Sequence, residues 1–142
     1  MKRSLVLLTG CLLSQLAFSQ IKHPRLKQEI ITVCNQFMGT FQKGKFSEAF
    51  DLLKPYTVIE DYKLDTLANT AANQVKNLSS TYGKMLSFEL VQEKTVKSTL
   101  SHLYYLLKFQ QSYLKFRFEL YNNGETWTIT GFKYNDDPDD VF

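Results

Sequence analysis

His102-Leu-Tyr-Tyr-Leu-Leu-Lys-Phe109, Tyr113-Leu-Lys-Phe-Arg-Phe-Glu-Leu-Tyr121, Asn122-Asn-Gly-Glu125 and Thr126-Trp-Thr-Ile-Thr-Gly-Phe-Lys-Tyr134 follow one another with short gaps. This stretch decides the fold. In its first segment Leu103, Tyr105, Leu107 and Phe109 share one face, and His102, Tyr104, Leu106 and Lys108 share the other. Side chains alternate across a strand, and both faces here are partly apolar, so a central strand is expected. In the second segment Leu114, Phe116, Phe118 and Leu120 alternate with Lys115, Arg117 and Glu119, the pattern of a half-buried strand with a polar outer surface. Asn123-Gly124 supplies the positive φ that a tight hairpin needs. In the last segment Trp127 and Ile129 share a face, whereas beyond Gly131 the large residues move to Phe132 and Tyr134. A one-residue phase slip at a glycine predicts a β-bulge. The turn at Gln110-Gln111 carries no Gly or Asn and is the weakest signal of the four.

Upstream the period is 3.6 rather than 2. Leu26, Ile30, Val33, Cys34, Phe37, Met38 and Phe41 form a helical stripe, with Pro24 able to open the helix and Gly44 able to close it in a left-handed cap. Ala49, Phe50 and Leu53 face one side of a short second helix over residues 48–54, with Ser47 as its cap, Phe46 before it and Pro55 ending it. A third helix starts at Leu64 or Asp65 and runs on Leu67, Ala68, Ala71, Ala72, Val75, Leu78 and Tyr82 to Gly83. Residues 56–62 read as a connection. After Gly83, Leu86, Phe88 and Leu90 alternate as a first strand, and residues 93–98 read as a polar turn. The expectation is an α+β chain: three N-terminal helices packed on a strongly curved, cone-like antiparallel sheet of about four strands.

The 142 residues suit one domain, over residues 20–142, with 136–142 as an acidic tail. Residues 1–19 read as a signal peptide: Lys2-Arg3, an apolar run, then Ala17-Phe18-Ser19 with small residues where a peptidase cuts. Leu8-Thr9-Gly10-Cys11 keeps open a second possibility, a lipoprotein anchored through Cys11. Either way the chain is expected to be exported, periplasmic or secreted. Without Lys2 and Arg3 the 17 basic residues become 15 against 14 acidic ones, a formal +1. That leaves no field to attract nucleic acid, and a membrane role only through lipidation. Cys34 then stands without a disulfide partner and reads as a buried small hydrophobe. His23 and His102 lie far apart with one usable Cys, so neither a metal nor a cofactor is expected.

Three helices followed by a run of antiparallel strands ending Trp127-Thr-Ile-Thr-Gly-Phe132, with the junction Phe41-Gln-Lys-Gly-Lys-Phe-Ser-Glu-Ala-Phe50 between the first two helices, resembles the nuclear-transport-factor-2-like superfamily. The resemblance covers roughly residues 26–134. It implies a curved sheet wrapped around helices, an apolar pocket at the open end of the cone and a homodimer through the convex sheet face. Enzymes of that superfamily place acids, Tyr or His in the pocket, as ketosteroid isomerase does with an Asp base and a Tyr in its oxyanion hole. This sequence departs from the pattern: the first helix offers Phe37 and Phe41 where a Tyr donor would be needed, and residues 113–134 supply no inward Asp.

The catalytic candidates are accordingly Asp61, after the second helix, and His102, which would titrate near neutral pH. Phe37, Phe41, Tyr62, Tyr104, Tyr105 and Trp127 are the candidates for lining a ligand pocket. The function expected is an exported, non-enzymatic domain that binds a small apolar ligand or an envelope protein, as a homodimer. The alternative is an acid/base isomerase, cyclase or dehydratase acting on a small apolar substrate.

Overall fold

The computed structural model describes residues 22–137. The signal-peptide reading, both ways of ending it, and the end of the acidic tail lie outside those residues. Three helices precede one four-stranded antiparallel sheet: α1 (Lys27–Gln42), α2 (Phe46–Leu53), α3 (Asp61–Tyr82), then β1 (Met85–Val96), β2 (Leu100–Phe109), β3 (Tyr113–Asn122) and β4 (Trp127–Asn135). The sheet order is β1-β2-β3-β4, a simple meander, so β2 is internal as its two-faced sequence predicts. Among the described residues no helix is long and apolar enough to cross a membrane.

Local chemistry explains most boundaries. α1 starts at Lys27, where the Glu29 carboxylate accepts a hydrogen bond from the Leu26 backbone N–H. Pro24 therefore stays outside the helix, and its carbonyl accepts from the Trp127 N–H at 2.8 Å. Gly44, at φ 77°, closes α1 in the left-handed conformation, as expected. α2 begins at Phe46, one residue before the expected cap Ser47, because Phe46 packs its ring edge-on against Phe41, centroids 4.7 Å apart. α3 begins a turn earlier than its apolar stripe suggests. The Lys63 and Leu64 N–H groups both donate to the Glu60 carbonyl, and Lys63 pairs with the Glu60 carboxylate at 2.8 Å, so the polar residues 61–63 are helical rather than connecting. Gly83, at φ 78°, ends it.

In the sheet, β1 extends through Glu93–Val96, which the sequence reading assigned to a turn. Glu93 sits opposite Leu103, accepts from the Ser101 hydroxyl and pairs with Lys27 from α1, and these partners carry a polar segment as strand. The turn shrinks to three residues, with Lys97 at φ 52°. The weak turn after Phe109 is fastened from outside: Gln110 N–H donates to the Lys84 carbonyl and Gln111 N–H to the Tyr82 carbonyl. The β3–β4 hairpin turns at Gly124, φ 102°. In the β3–β4 ladder Glu119 faces Gly131 while Leu120 faces Ile129, so Thr130 is the extra residue of the expected bulge.

All three helices lie on the inner face of the sheet, defined by Leu103, Tyr105, Leu107, Phe116, Phe118, Leu120 and Ile129. α1 lies directly on the sheet, α2 on α1, and α3 on α2. Phe37 is the centre of the core. Its ring meets Phe41, Phe50, Phe116, Phe118 and Phe132 at centroid distances from 5.0 to 6.3 Å, mostly edge to face. Rings at such distances attract beyond their area burial, by about 0.5–1.5 kcal/mol a pair.

Candidate functional site

The residues proposed from the sequence are dispersed. Phe37, Phe41 and Tyr105 are fully buried in the ring cluster, and Trp127 is nearly so. The Tyr105 hydroxyl donates to Asn35 Oδ1 at 2.7 Å, and burial pushes its pKa well up, so it is a satisfied core phenol. The Lys27 ammonium stands 5.8 Å from the Trp127 ring centroid. These four side chains belong to the packed core between the helices and the sheet. Tyr62 lies at the start of α3, 64% exposed.

Tyr104 and His102 point the other way. On the outer face the register sets Lys94, His102 and Glu119 side by side, and Gln92, Tyr104, Arg117 and Lys133 in the next row. The His102 and Tyr104 rings are 6.3 Å apart, and the Lys94 ammonium lies 5.2 Å from the Tyr104 centroid. Arg117 Nη2 donates to Glu119 at 2.6 Å. This surface is less solvated than a polar strand face implies: Tyr104 is 9% and Lys115 8% exposed. Asp61, in contrast, occupies the exposed first turn of α3, on the helix side of the sheet. The structure does not bring Asp61 and His102 together, and an acid/base pair needs hydrogen-bond reach, about 3 Å.

What the structure does bring together is a cleft between α3 and the ends of β3 and β4, with a volume of about 330 Å³. Gln74, Asn77 and Leu78 line it from α3, Leu114 from β3, and Tyr134, Asn135 and Asp136 from β4 and the residue after it. The cleft follows from the small side chains of α3. Ala68 and Ala71 are buried, so α3 seats closely on α2 and spans the sheet rather than resting on it. Two side-chain bonds bridge the gap: Tyr134 donates to Gln74 Oε1 at 2.5 Å and Tyr82 donates to Asp136 Oδ2 at 2.9 Å. Burial raises the Tyr134 pKa, and the bond to Asp136, ahead of burial, raises that of Tyr82. Both phenols therefore stay protonated donors at neutral pH. With Gln74 Oε1 engaged by Tyr134, the Gln74 amide N–H groups remain as donors to the cleft. The Tyr134 ring itself is held flat, stacked on Phe116 at 5.5 Å and 20°.

Sequence reasoning missed this site. Gln74 and Asn77 lie outside the apolar stripe that marks the third helix, and Tyr134 reads only as a strand residue. The one available signal was the slip at Gly131, which turns Tyr134 to the inner face at the end of the sheet, where α3 overhangs it. Compared with family models, with curated proteins and with solved structures, the chain gives no match.

Proposed function

We propose that the chain is an exported, non-enzymatic binding domain of the nuclear-transport-factor-2-like kind, and that it holds a small neutral ligand in the cleft between α3 and β4. The observation that carries the reading is the convergence of Gln74, Asn77, Tyr134, Asn135 and Asp136 over the apolar floor of Leu78 and Leu114. A volume of about 330 Å³ is at the small end of ligand sites, about 300–1,000 Å³. Planar amides, a phenol and one carboxylate around an apolar floor suit a ligand with hydroxyl or amide groups and an apolar face. A cone-like bend of the sheet fits the same reading, since it has register shifts near Leu86, between Leu90 and Gln92, and at Thr130, and bulges bend strands.

Glucose, N-acetylglucosamine and acetamide are suitable probes, titrated into the ¹⁵N-labelled domain and followed by amide shifts. The expected result is a saturable change confined to the ends of β3 and β4 and the middle of α3, abolished by Gln74→Ala or Asn77→Ala and retained in Tyr62→Ala. Shifts that persist in the two cleft variants, or that map to the outer sheet face, would overturn the assignment.

A further inference from the structure

The two edges of the sheet are finished differently. The free side of β4 is covered where it begins: Trp127 N–H donates to the Pro24 carbonyl, while the Ile129 carbonyl accepts from both the Thr57 hydroxyl and the Val58 N–H. The free side of β1 has no such cover. Gln42 Nε2 donates to the Leu86 carbonyl at 2.7 Å. From Ser87 to Thr95, no backbone group of β1 makes a hydrogen bond away from β2 among the described residues. β1 is twelve residues long, and Leu86, Leu90, Val91 and Val96 are all exposed on it. A long, partly apolar edge with open donors and acceptors is a template for another strand.

We propose that β1 pairs antiparallel with β1 of a second copy of this chain, joining two sheets edge to edge. The side-chain order commits to this partner and to a register. Val91 is skipped in the β1–β2 register, so the residues on the outer face are Ser87, Glu89, Gln92, Lys94 and Val96. Placing Gln92 opposite Gln92 of the second copy puts Glu89 opposite Lys94 on both sides of the two-fold axis. The strand is thus complementary in charge to itself. Glu89 already accepts from Lys108 at 2.7 Å, so the second ammonium completes a three-membered network on each side. Among the described residues Lys94 makes no ion pair within the chain; it lies opposite His102, with its ammonium over the Tyr104 ring. On the inner face the same register sets Phe88 against Thr95. This surface is separate from the cleft, and neither reading depends on the other.

Sedimentation velocity from low to high micromolar concentration tests the proposal. The chain should show a concentration-dependent dimer. Lys94→Glu alone sets acid against acid across the axis, and Glu89→Lys alone sets base against base. Each should self-associate about tenfold more weakly, because cross-strand charge pairs change sign at two positions. An equimolar mixture of the two variants restores both opposite-charge pairs and should dimerise like the parent chain. Unchanged melting curves of both variants confirm that each is folded. A chain that stays monomeric throughout, or a dimer that neither substitution weakens, would overturn the inference; the latter outcome would move the interface to the outer sheet face.

Discussion

Replacing Phe37 by alanine removes a ring that touches five others, from α1, α2, β3 and β4. The residue is fully buried, so no water replaces the lost contacts from outside. Phe→Ala in a core costs about 3–5 kcal/mol, the sum of lost transfer energy and the cavity left behind. Two features favour the upper half of that range. Four of the five partners lie at or within 5.6 Å. The neighbours are rings fixed on rigid elements, which collapse poorly into a void. A loss of about 4–5 kcal/mol is expected, against a total of about 5–15 kcal/mol for a domain. At this size each kcal/mol moves the melting temperature by roughly 3–5 °C, so the variant should melt about 12–25 °C lower. Urea unfolding followed by tryptophan fluorescence gives the free energy directly, provided the slope with denaturant stays that of the parent. Phe37→Leu should fall between the two proteins. A loss below about 1 kcal/mol for Phe37→Ala would refute the reasoning, since it is the behaviour of an exposed position rather than a packed one.

Cys34 is fully buried and desolvation pushes its thiol far above the ordinary range, so a thiol reagent should label native protein far more slowly than protein in urea. Glu93 is held below the ordinary Glu value of 4.5 chiefly by the hydrogen bond from Lys27; burial, the next-largest effect, opposes this, and the Ser101 hydroxyl adds to the lowering. A lowered folded-state pKa contributes stability above the unfolded value and loses it as pH falls through the folded one. Glu93→Gln should therefore be less stable than the parent at neutral pH, with the gap closing below about pH 4.5 in pH-dependent melts. A Cβ at Gly131 would lie 2.9 Å from Glu119 Cδ and 3.2 Å from its Cβ. Gly131→Ala should turn the flexible Glu119 carboxylate away from Arg117 and, because that ion pair is partly exposed, cost about 1 kcal/mol or less, read from urea melts.

The elements were legible because each carries its own period. The ring stripe of α1 and the alternation of Leu114, Phe116, Phe118 and Leu120 need no tertiary information to be read. The boundaries that moved are those set by distant partners. Glu93 becomes strand because Lys27 and Ser101 meet it, and the Gln110-Gln111 turn holds because its N–H groups donate to the carbonyls of Lys84, just past α3, and of Tyr82, the last residue of α3. The candidate site was hidden for a related reason. A count of aromatics cannot separate rings that line a pocket from rings that fill one. Phe37 and Phe41 looked suited to either use, and packing against Phe50, Phe116 and Phe118 decided for the core.

That filling has a consequence for where recognition can occur. With α1 seated on the sheet and its side chains closed over by rings, one of the open spaces left among the described residues lies where α3 bridges a gap. α3 does so because Ala68 and Ala71 draw it onto α2, while its far end is tied to the sheet by the Tyr82 and Lys84 carbonyls. Between those two attachments the helix and the β4 end are joined by side chains alone, Gln74 with Tyr134 and Tyr82 with Asp136. Side-chain bonds exposed to water are worth only about 0.5–1.5 kcal/mol each, far less than the ring core beneath α1. A ligand that replaces them loses little, whereas one that entered beside Phe37 would have to displace packed rings. The same balance of tight interior and loosely bridged rim makes the α3–β4 cleft a place where binding would cost this fold less than entry beside Phe37.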